Sequence, residues 1–256
     1  ILSLPERHNR ILALLQQFGS ISVAQLAERF KVSEVTIRKD LSYLEQQKKL
    51  YRTHGSAILI SPYISDRHVN EKEKRNVAEK RAIGAFAASL IAQDDSIIIA
   101  SGTTVTFLAR EINPAGHLTA ITASVPVTQI LSQCPDVDVI QLGGITRSSS
   151  VSVVGPFAEQ MLRSFNCSKL FIGVDGIDTE FGLTTTNMLE ASLNGAMIDA
   201  AQKVIVLADS SKFGRRGFSK ICDLESVDRI ITDSGVQSVY LDRLRERGIE
   251  VTVVDV

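Results

Sequence analysis

The first 60 residues place apolar side chains at the three- and four-residue spacing of amphipathic helices. Three helical segments are expected, and each opens on a capping signal: Ser3 with Glu6, Ser22 with Gln25, and Ser33. Such short capped helices predict a small three-helix core. Their apolar sides are, in order, Ile11, Leu12, Leu14 and Leu15; Val23, Leu26, Ala27 and Phe30; and Val35, Ile37, Leu41 and Leu44.

The segment from Leu50 to Leu59 has the pattern of two short strands that meet near Gly55. A hairpin that follows three short helices is typical of a winged helix-turn-helix, in which the hairpin is the wing. The second and third helices are separated by a tight turn at Lys31 and Val32. The chain is therefore expected to begin with a domain of this kind over residues 1–60.

The remainder alternates short β-rich runs with helical patterns, which indicates an α/β fold with a mostly parallel sheet covered on both faces. A polar stretch over residues 61–81 is predicted to be a linker and lead-in helix, with its mixed charges on a solvated face. Helical spacing continues from Lys80 to Ile91, and residues 82–256 form the second domain. The strand candidates are Ser96–Ala100, Thr119–Thr122, Val137–Leu142, Lys169–Val174, Lys203–Ala208, Arg229–Thr232 and Glu250–Val254.

Charge separates the two domains. Residues 1–60 carry nine Lys or Arg against five acidic residues, a net charge of +4, whereas the remainder has 19 basic and 24 acidic residues, a net charge of −5. A basic head on an acidic body is expected of a protein that neutralises DNA phosphates with its head. The third helix would then be the recognition helix, and the candidate DNA-binding residues are Ser33, Glu34, Thr36, Arg38, Lys39, Arg52 and His54.

Within that set, Arg38 is the first candidate to read a guanine, and Ser33 and Thr36 lie near the bases. Lys39, Arg52 and His54 are expected at phosphates. The structural alternative for this segment is an ordinary surface helix of a small helical subdomain.

Loops that leave the carboxyl ends of parallel strands are where ligands collect in such sheets. Several of these loops are rich in hydroxyl, carboxylate and cationic side chains. Ser101-Gly102-Thr103-Thr104 could hold a phosphate at a helix N-terminus, although turn and capping chemistry explains the same residues. Lys212 is expected at the anion of a phosphorylated polyol, and Asp175, Asp178 and Glu190 at its hydroxyls.

These motifs in this order resemble the DeoR family of bacterial sugar-metabolism repressors over essentially the whole chain. The resemblance rests on the recognition helix, the wing, Ser101–Thr104, Gly143-Gly144 with Arg147, Gly155-Pro156, Asp175–Asp178 and Asp209–Lys212. It implies a winged helix-turn-helix that binds operator DNA and a sensor domain similar in fold to ribose-5-phosphate isomerase. A sugar phosphate that binds the sensor domain would release the repressor from the operator. Thr122-Ala123-Ser124 departs from the Thr-Asn-Ser often found in the family, so a ligand contact through that amide is lost. The implied effector-binding residues are Ser101, Gly102, Thr103, Thr104, Thr122, Ser124, Arg147, Asp175, Asp178, Glu190 and Lys212.

Two other functions stay open. In the first, the body is an isomerase-like enzyme that acts on sugar phosphates, with Glu190 as the general base. Residues 179–189 contain no Lys to stabilise an enediolate oxygen. Binding without turnover is therefore favoured. Arg147 or Arg215 could substitute for that Lys in space. Alternatively, the body serves only for oligomerisation.

The remaining expectations concern partners and compartment. A homodimer or homotetramer is expected, because paired heads address two half-sites. Three widely spaced cysteines form no disulfide framework and no ligand pair, and the longest apolar runs are far shorter than a membrane span. A cytoplasmic protein without a cofactor or metal, with DNA and a phosphorylated sugar or polyol as partners, is therefore expected.

Overall fold

The computed structural model describes residues 3–18, 20–47, 49–53, 55–59 and 68–256. The chain divides into two compact units, Ile1–Ile64 and Ser65–Val256, and each is described by itself. The first unit contains helices α1 (Leu4–Phe18), α2 (Val23–Phe30) and α3 (Glu34–Gln46) and strands β1 (Ser20–Ser22), β2 (Leu50–Thr53) and β3 (Ser56–Leu59).

The three helices of the first unit begin at the expected caps. Ser22 and Gln25 form the reciprocal capping box, and the Ser33 side chain accepts a hydrogen bond from the backbone of Thr36. Lys31 ends α2 in the left-handed conformation, with φ of 53°, and so makes the sharp turn into α3. This unit is a helix-turn-helix.

The three strands of the unit form an antiparallel sheet in the order β1-β3-β2. The β2–β3 hairpin is the predicted wing, and Gly55 at its turn has a φ of +87°, which favours glycine. Strand β1 was not anticipated because its three residues are too few to show an alternating pattern.

The apolar sides of the helices pack into one core, with one exception. Ile37, Leu41 and Leu44 of α3 are buried, whereas Val35 is 58% exposed, so its assignment to the apolar side was wrong. The reason is geometric: Val35 precedes Ile37 by two residues, or about 200° around the helix. The core is formed by Ile11, Leu15, Ile21, Val23, Leu26, Ile37, Leu41, Leu44, Leu50 and Ala57.

Residues 68–81, in the predicted linker and lead-in helix, contain one short helix and the beginning of a second, and residues 61–67 lie outside the described residues. The second helix begins at Val77, three residues before the predicted Lys80, and the short helix precedes it. The elements are α4 (Val69–Glu73), α5 (Val77–Ala88), β4 (Ser96–Ile99), α6 (Thr103–Glu111), β5 (Leu118–Thr122), α7 (Val125–Leu131), β6 (Val137–Gln141), β7 (Ile145–Arg147), β8 (Ser152–Val154), α8 (Pro156–Leu162), β9 (Lys169–Gly173), β10 (Gly176–Asp178), β11 (Gly182–Thr185), α9 (Met188–Asp199), β12 (Val204–Leu207), β13 (Ser219–Cys222), β14 (Arg229–Asp233), α10 (Ser238–Glu246) and β15 (Glu250–Val254), with 3-10 turns at Ser210–Lys212 and Leu224–Ser226.

Seven strands of this unit form one parallel sheet in the order β15-β14-β12-β9-β4-β5-β6. They are the seven strands expected from the sequence, with ends that differ by a residue. Separate buried clusters contain alternate residues of the same strands, such as Ile98 in one and Ile97 and Ile99 in the other. The sheet is therefore covered on both faces, and the predicted mostly parallel α/β fold is confirmed.

Strand order reverses between β4 and β9, because the chain runs from β4 outward to β6 and then returns to the other side of β4. Such a reversal leaves a crevice at the carboxyl ends of the two strands. The segments that connect strands of the main sheet also form a smaller antiparallel sheet, β10-β11-β13, and the β7–β8 hairpin. The loops after β4, β9 and the adjacent β12 therefore border the crevice in which a ligand site is expected.

Candidate functional site

The exposed side of α3 carries short polar and cationic side chains. Ser33 and Thr36 lie at its first turn with their hydroxyl oxygens 2.9 Å apart. Arg38 donates to the Glu34 carboxylate at 2.7 Å, and both side chains are about half exposed. Because this exposed pair is weak, Arg38 can leave Glu34 for a base or a phosphate at small cost.

The wing is attached to the end of the same helix. The backbone N–H of Arg52 donates to the Glu45 carboxylate at 3.0 Å, and its guanidinium donates to the Ser42 hydroxyl. Lys39 is exposed, like Arg38. His54 lies outside the described residues.

Sequence reasoning missed an ion cluster inside the first unit. The Asp40 carboxylate accepts from Arg7 at 2.6 and 3.0 Å and lies 3.2 Å from His8 Nε2. The three side chains are buried, and the His8 ring stacks on Tyr43. We call Arg7, His8 and Asp40 the head ion cluster; it joins α1 to the recognition helix.

In the second unit, polar residues that follow three adjacent strands come together at the reversal of strand order. Ser101 follows β4, Asp175 follows β9, and Asp209 follows β12. Side chains from α4, α5, β7, α9 and the turn after Asp209 complete the group. We call this group, formed by Lys72, Lys80, Arg147, Asp175, Glu190, Asp209 and Lys212, the switch-point cluster.

Asp175 lies between two lysines. Its Oδ1 accepts from Lys72 Nζ at 2.9 Å and lies 3.9 Å from Lys212 Nζ, while its Oδ2 accepts from Thr185 at 3.2 Å and Thr186 at 3.5 Å. Burial alone would raise the pKa of Asp175, but the two lysines outweigh burial and the pKa is lowered. Asp175 is therefore a carboxylate that holds cations in place.

Glu190 forms the second carboxylate position. Its two oxygens accept from Ser101 at 3.3 Å and from Arg147 at 2.6 Å. Burial raises the pKa of Glu190, the neighbouring Asp175 raises it further, and Arg147 only partly opposes both. Ser101, Arg147 and Glu190 are thus brought together, as the sequence predicted for one site.

Two lysines of the cluster, Lys80 and Lys212, are in an environment that disfavours their charge. Burial lowers the pKa of Lys212, and the nearby Lys72 and Arg215 add to the effect against Asp175 and Asp209. Burial likewise lowers the pKa of Lys80 to about 8, and its Nζ donates to the carbonyl oxygens of Lys72 and Arg75. An added anion would relieve both lysines.

Asn76 connects α4 and α5, which we call the lead helices, to the turn after β12. It adopts the left-handed conformation, with φ of 51°, between α4 and α5. Its Nδ2 donates to Asp209 at 2.9 Å and to the Ser211 hydroxyl at 3.3 Å. A non-glycine residue in this conformation is strained, and the two hydrogen bonds offset that strain.

The loop after β4 leads into the N-terminus of α6. Gly102 has a φ of +135°, and a side chain there would meet no other atom within 4 Å, so the space in front of the helix is open. Thr103 and Thr104 are buried in the first turn of the helix. Gly102, Thr103 and Thr104 thus lie where the first backbone N–H groups of a helix have no partner within the helix, next to an open space.

Three predicted effector residues have other contacts. Asp178 is 1% exposed and accepts from Arg216 at 2.8 and 3.0 Å and from the backbone of Glu180 and Phe181, so both carboxylate oxygens are occupied within the small sheet. Ser124 caps α7, and Thr122 accepts from the Ser124 backbone. The structure does not bring Asp178 into the switch-point cluster, because its partners lie in the turn between β10 and β11 and in the loop after Lys212, within the small sheet.

The sequence missed Lys72, Asn76 and Lys80. Lys72 and Lys80 stand in charged runs that were expected to be a solvated face, yet Lys80 is 3% exposed. The sequence did contain a signal. Lys80 is the first residue of the amphipathic helical pattern from Lys80 to Ile91, and a lysine on the buried side of such a helix is unusual. Asp209 belongs to the motif Asp209–Lys212, but only Lys212 of that motif was predicted to contact the effector.

Comparisons with known proteins agree with this geometry. A DeoR-like helix-turn-helix domain matches residues 7–63, and a DeoR C-terminal sensor domain matches residues 75–234. The chain belongs to the DeoR family. It is 39% identical to the uncharacterised transcriptional regulator YulB of Bacillus subtilis over 97% of this chain and 96% of that protein. It is 36% identical to the lactose phosphotransferase system repressor of Streptococcus mutans over 89% of this chain and 91% of that protein.

One solved structure shows a distant resemblance in fold to this DeoR-family chain. Ribose 5-phosphate isomerase A from Neisseria gonorrhoeae is 16% identical, with a TM-score of 0.36 over 54% of this chain and 53% of the isomerase. That likeness carries nothing about activity. Among the described residues, no helix is long and apolar enough to cross a membrane, and no group of His, Cys, Asp or Glu side chains has the arrangement of a metal site.

Proposed function

We propose that the chain is a repressor of a carbohydrate-utilisation operon and that a phosphorylated sugar or polyol, bound at the switch-point cluster, releases it from operator DNA. The observation that carries the proposal is the charge of the cluster. Among the described residues, the four cations of the cluster, Lys72, Lys80, Arg147 and Lys212, stand against its three carboxylates, Asp175, Glu190 and Asp209. A further carboxylate near Lys80, that of Glu73, is paired with Arg110. A buried cluster with a cation in excess is matched by an anionic ligand.

The phosphate is assigned to the part of the cluster that contains Lys72 and Lys212. Lys212 and Lys72 supply the charge there, and Gly102, Thr103 and Thr104 supply backbone amides at the start of a nine-residue helix. Ser101, Arg147, Asp175 and Glu190 are the donors and acceptors for hydroxyl groups of the same ligand. Thr122, Ser124 and Asp178 are assigned to the frame of the pocket rather than to the ligand.

Release is assigned to the lead helices. Lys72 lies on α4, the first helix after the boundary between the two units, and its ammonium group pairs with Asp175 inside the cluster. A phosphate that takes Lys72 away from Asp175 moves α4. Because coupling is reciprocal, operator DNA and effector then each weaken the binding of the other.

At the DNA end, the proposal assigns Arg38 to a guanine and Ser33, Glu34 and Thr36 to positions near the bases. Lys39, Arg52 and His54 are assigned to phosphates. Two copies of the chain, as a homodimer or within a homotetramer, read two half-sites. The protein acts in the cytoplasm, where operator and effector are found together.

The test is fluorescence anisotropy on DNA from upstream of the gene, at fixed salt, with a panel of phosphorylated sugars and their unphosphorylated forms. Lys212→Ala is expected to keep operator binding and to need about 10- to 150-fold more effector for release, because a hydrogen bond to a charged group contributes roughly 1.5–3 kcal/mol. Lys220→Ala is the matched control, since Lys220 pairs with Asp223 outside the cluster. Unchanged release in Lys212→Ala removes the cluster as the sensor, and release by none of the compounds favours a body used only for oligomerisation.

The isomerase alternative gains one observation. Residues 179–189 contain no Lys to stabilise an enediolate oxygen, but Lys72 and Arg147 place cations beside Asp175 and Glu190. Against turnover, both oxygens of Glu190 are already engaged by Ser101 and Arg147. We expect no exchange of substrate carbon-bound protons in deuterated water for any sugar phosphate that releases the DNA; measurable exchange would make the body an enzyme.

A further inference from the structure

Val35 is an apolar residue on the exposed side of the recognition helix α3. Its side chain is 58% exposed, whereas Ile37, Leu41 and Leu44 of the same helix are at most 1% exposed. Single exposed apolar residues are common on protein surfaces, so exposure alone does not mark a binding residue. Valine is also a weaker helix former than alanine, and the helix itself gains little from it at an exposed position. The informative feature is where Val35 lies on the helix.

Val35 lies at the centre of the exposed side of α3. The buried side of the helix consists of Ile37, Asp40, Leu41 and Leu44. At about 100° per residue, Val35 is about 170° from the middle of that buried side. Arg38 and Lys39 follow Val35 by three and four residues, so they lie about 60° to one side of it and about 40° to the other. Two exposed cationic side chains therefore flank Val35.

The surroundings of Val35 suit DNA rather than a protein partner. It is the second residue of α3, next to the Ser33 cap and Thr36. With Arg38 and Lys39, these neighbours make a polar and cationic surface on which Val35 is an isolated apolar point, not part of an apolar patch. Cations neutralise phosphates, and the first residues of the recognition helix of a helix-turn-helix contact base edges in the major groove.

The base that an apolar side chain can read in the major groove is thymine. The other groups that standard bases present there donate or accept hydrogen bonds, whereas thymine also presents a C5-methyl group. The Val35 side chain has no hydrogen-bonding atom, but its methyl groups can pack against another methyl group. We propose that Val35 contacts the C5-methyl group of a thymine in each operator half-site and so selects that base pair. This contact rests on the DNA-binding part of the proposed function, which assigns no role to Val35.

The test compares thymine with uracil, which differ by this methyl group alone. Duplexes selected by the parent protein from a random-sequence pool, at fixed salt and without effector, supply the binding site. Each thymine of that site is then replaced singly by uracil, and fluorescence anisotropy measures the affinity. At one thymine of each half-site, uracil is expected to weaken binding roughly 4-fold, the effect of one methyl group removed from a contact.

Val35→Ala shortens the side chain by two methyl groups and is expected to weaken binding to the selected site by roughly 4-fold or more. The two losses are not additive, because the groups are in contact: in Val35→Ala, uracil at the same position is expected to change the affinity less than about 2-fold. Val35→Thr keeps one methyl group at this position and is expected to retain part of the response to uracil.

Val239→Ala is the matched control. Val239 is also the second residue of a surface helix, α10, and is 37% exposed, but it lies in the second unit. Val239→Ala is expected to distinguish thymine from uracil as the parent does. Circular dichroism verifies the fold of each variant, and alanine at an exposed helical position favours the helix.

The outcomes separate the thymine contact from DNA binding itself. A parent protein that selects a specific site but tolerates uracil at every position overturns the contact and leaves the proposed function intact. A Val35→Ala variant that keeps the parent's response to uracil overturns it as well, and a loss of self-association in that variant would place Val35 in a protein interface. A parent protein that selects no site overturns both the contact and the proposed function.

Discussion

The two ion clusters of the molecule both set cations against carboxylates, but the charges balance within the protein in only one of them. In the head ion cluster, Asp40 is held by Arg7 through both oxygens and is approached by His8, so the carboxylate is fully used within the protein. In the switch-point cluster, cations exceed carboxylates, and the pKa values of Lys80 and Lys212 are lowered. The first cluster is closed and holds helices together. The second is open and has a place for an anion.

The largest expected effect comes from opening the closed cluster. Asp40→Ala leaves the Arg7 guanidinium buried without its partner, and breaking a buried pair from one side costs about 3–5 kcal/mol. We expect the first unit to unfold at a much lower urea concentration and specific operator binding to be lost with it. Circular dichroism and anisotropy on the full chain measure the two losses.

Glu34→Ala is the control, because Glu34 forms the exposed pair with Arg38 and its removal is expected to change stability by less than about 0.5 kcal/mol. A stable Asp40→Ala head would show that the cluster is not what holds α1 on α3.

The second prediction separates reading DNA from folding within the head. Arg38→Ala is expected to weaken specific operator binding by roughly 1–3 kcal/mol and to leave unfolding unchanged, because Arg38 is exposed and its only described partner is Glu34. The measurement is the ratio of affinities for operator and random DNA at one salt concentration. If Arg38→Ala keeps the parent ratio, the recognition helix reads bases through other side chains.

The third prediction concerns pH and the open cluster. The pKa of Lys80 is about 8 in the folded protein and has an ordinary value of 10.5 when unfolded. Between these values the unfolded chain binds more protons, so this lysine's contribution makes stability rise with pH, by at most ~1.4 kcal/mol per pH unit.

Urea unfolding from pH 7.5 to 10.5 of the parent and of Lys80→Met measures that contribution as a difference. Groups that do not interact with Lys80 titrate alike in both proteins and cancel. Parallel curves for the two proteins would mean that Lys80 keeps its ordinary pKa in the fold.

The fold could be predicted from sequence because caps, spacing and apolar strands are local signals. The capping box at Ser22 and the run Ile97-Ile98-Ile99 each specify an element from neighbouring residues. The loop motifs and the family resemblance pointed to Arg147, Asp175, Glu190 and Lys212 of the switch-point cluster, but the head ion cluster and the lysines of α4 and α5 could not be predicted in this way. Asp40 meets Arg7 across 33 positions and Asp175 meets Lys72 across 103, so nothing nearby in the chain marks these charges as buried.

The same limit explains Asp178 and Val35. The motif around Asp175 and Asp178 suggested one site, but strand geometry turns alternate residues to different sides, and Asp178 pairs with Arg216 instead. Val35 is apolar and helical, yet its angle around α3 points it to solvent. In both cases the residue type was informative and its direction was set by the element.

The smallest expected effect is the sharpest test of the comparison. Lys212→Met removes a charge that the folded environment disfavours, so the free energy of unfolding of the second unit is expected to stay constant or rise by up to ~1 kcal/mol. Asp175 keeps Lys72 at 2.9 Å, and the carboxylate is not left alone. Arg216→Met is the matched control in the same unit, because it removes the partner of the buried Asp178 and is expected to cost roughly 1.5–3 kcal/mol. A loss in Lys212→Met as large as that in Arg216→Met would mean that both pairs hold the fold. The switch-point cluster would then be a second closed cluster, with no charge left over for a phosphate.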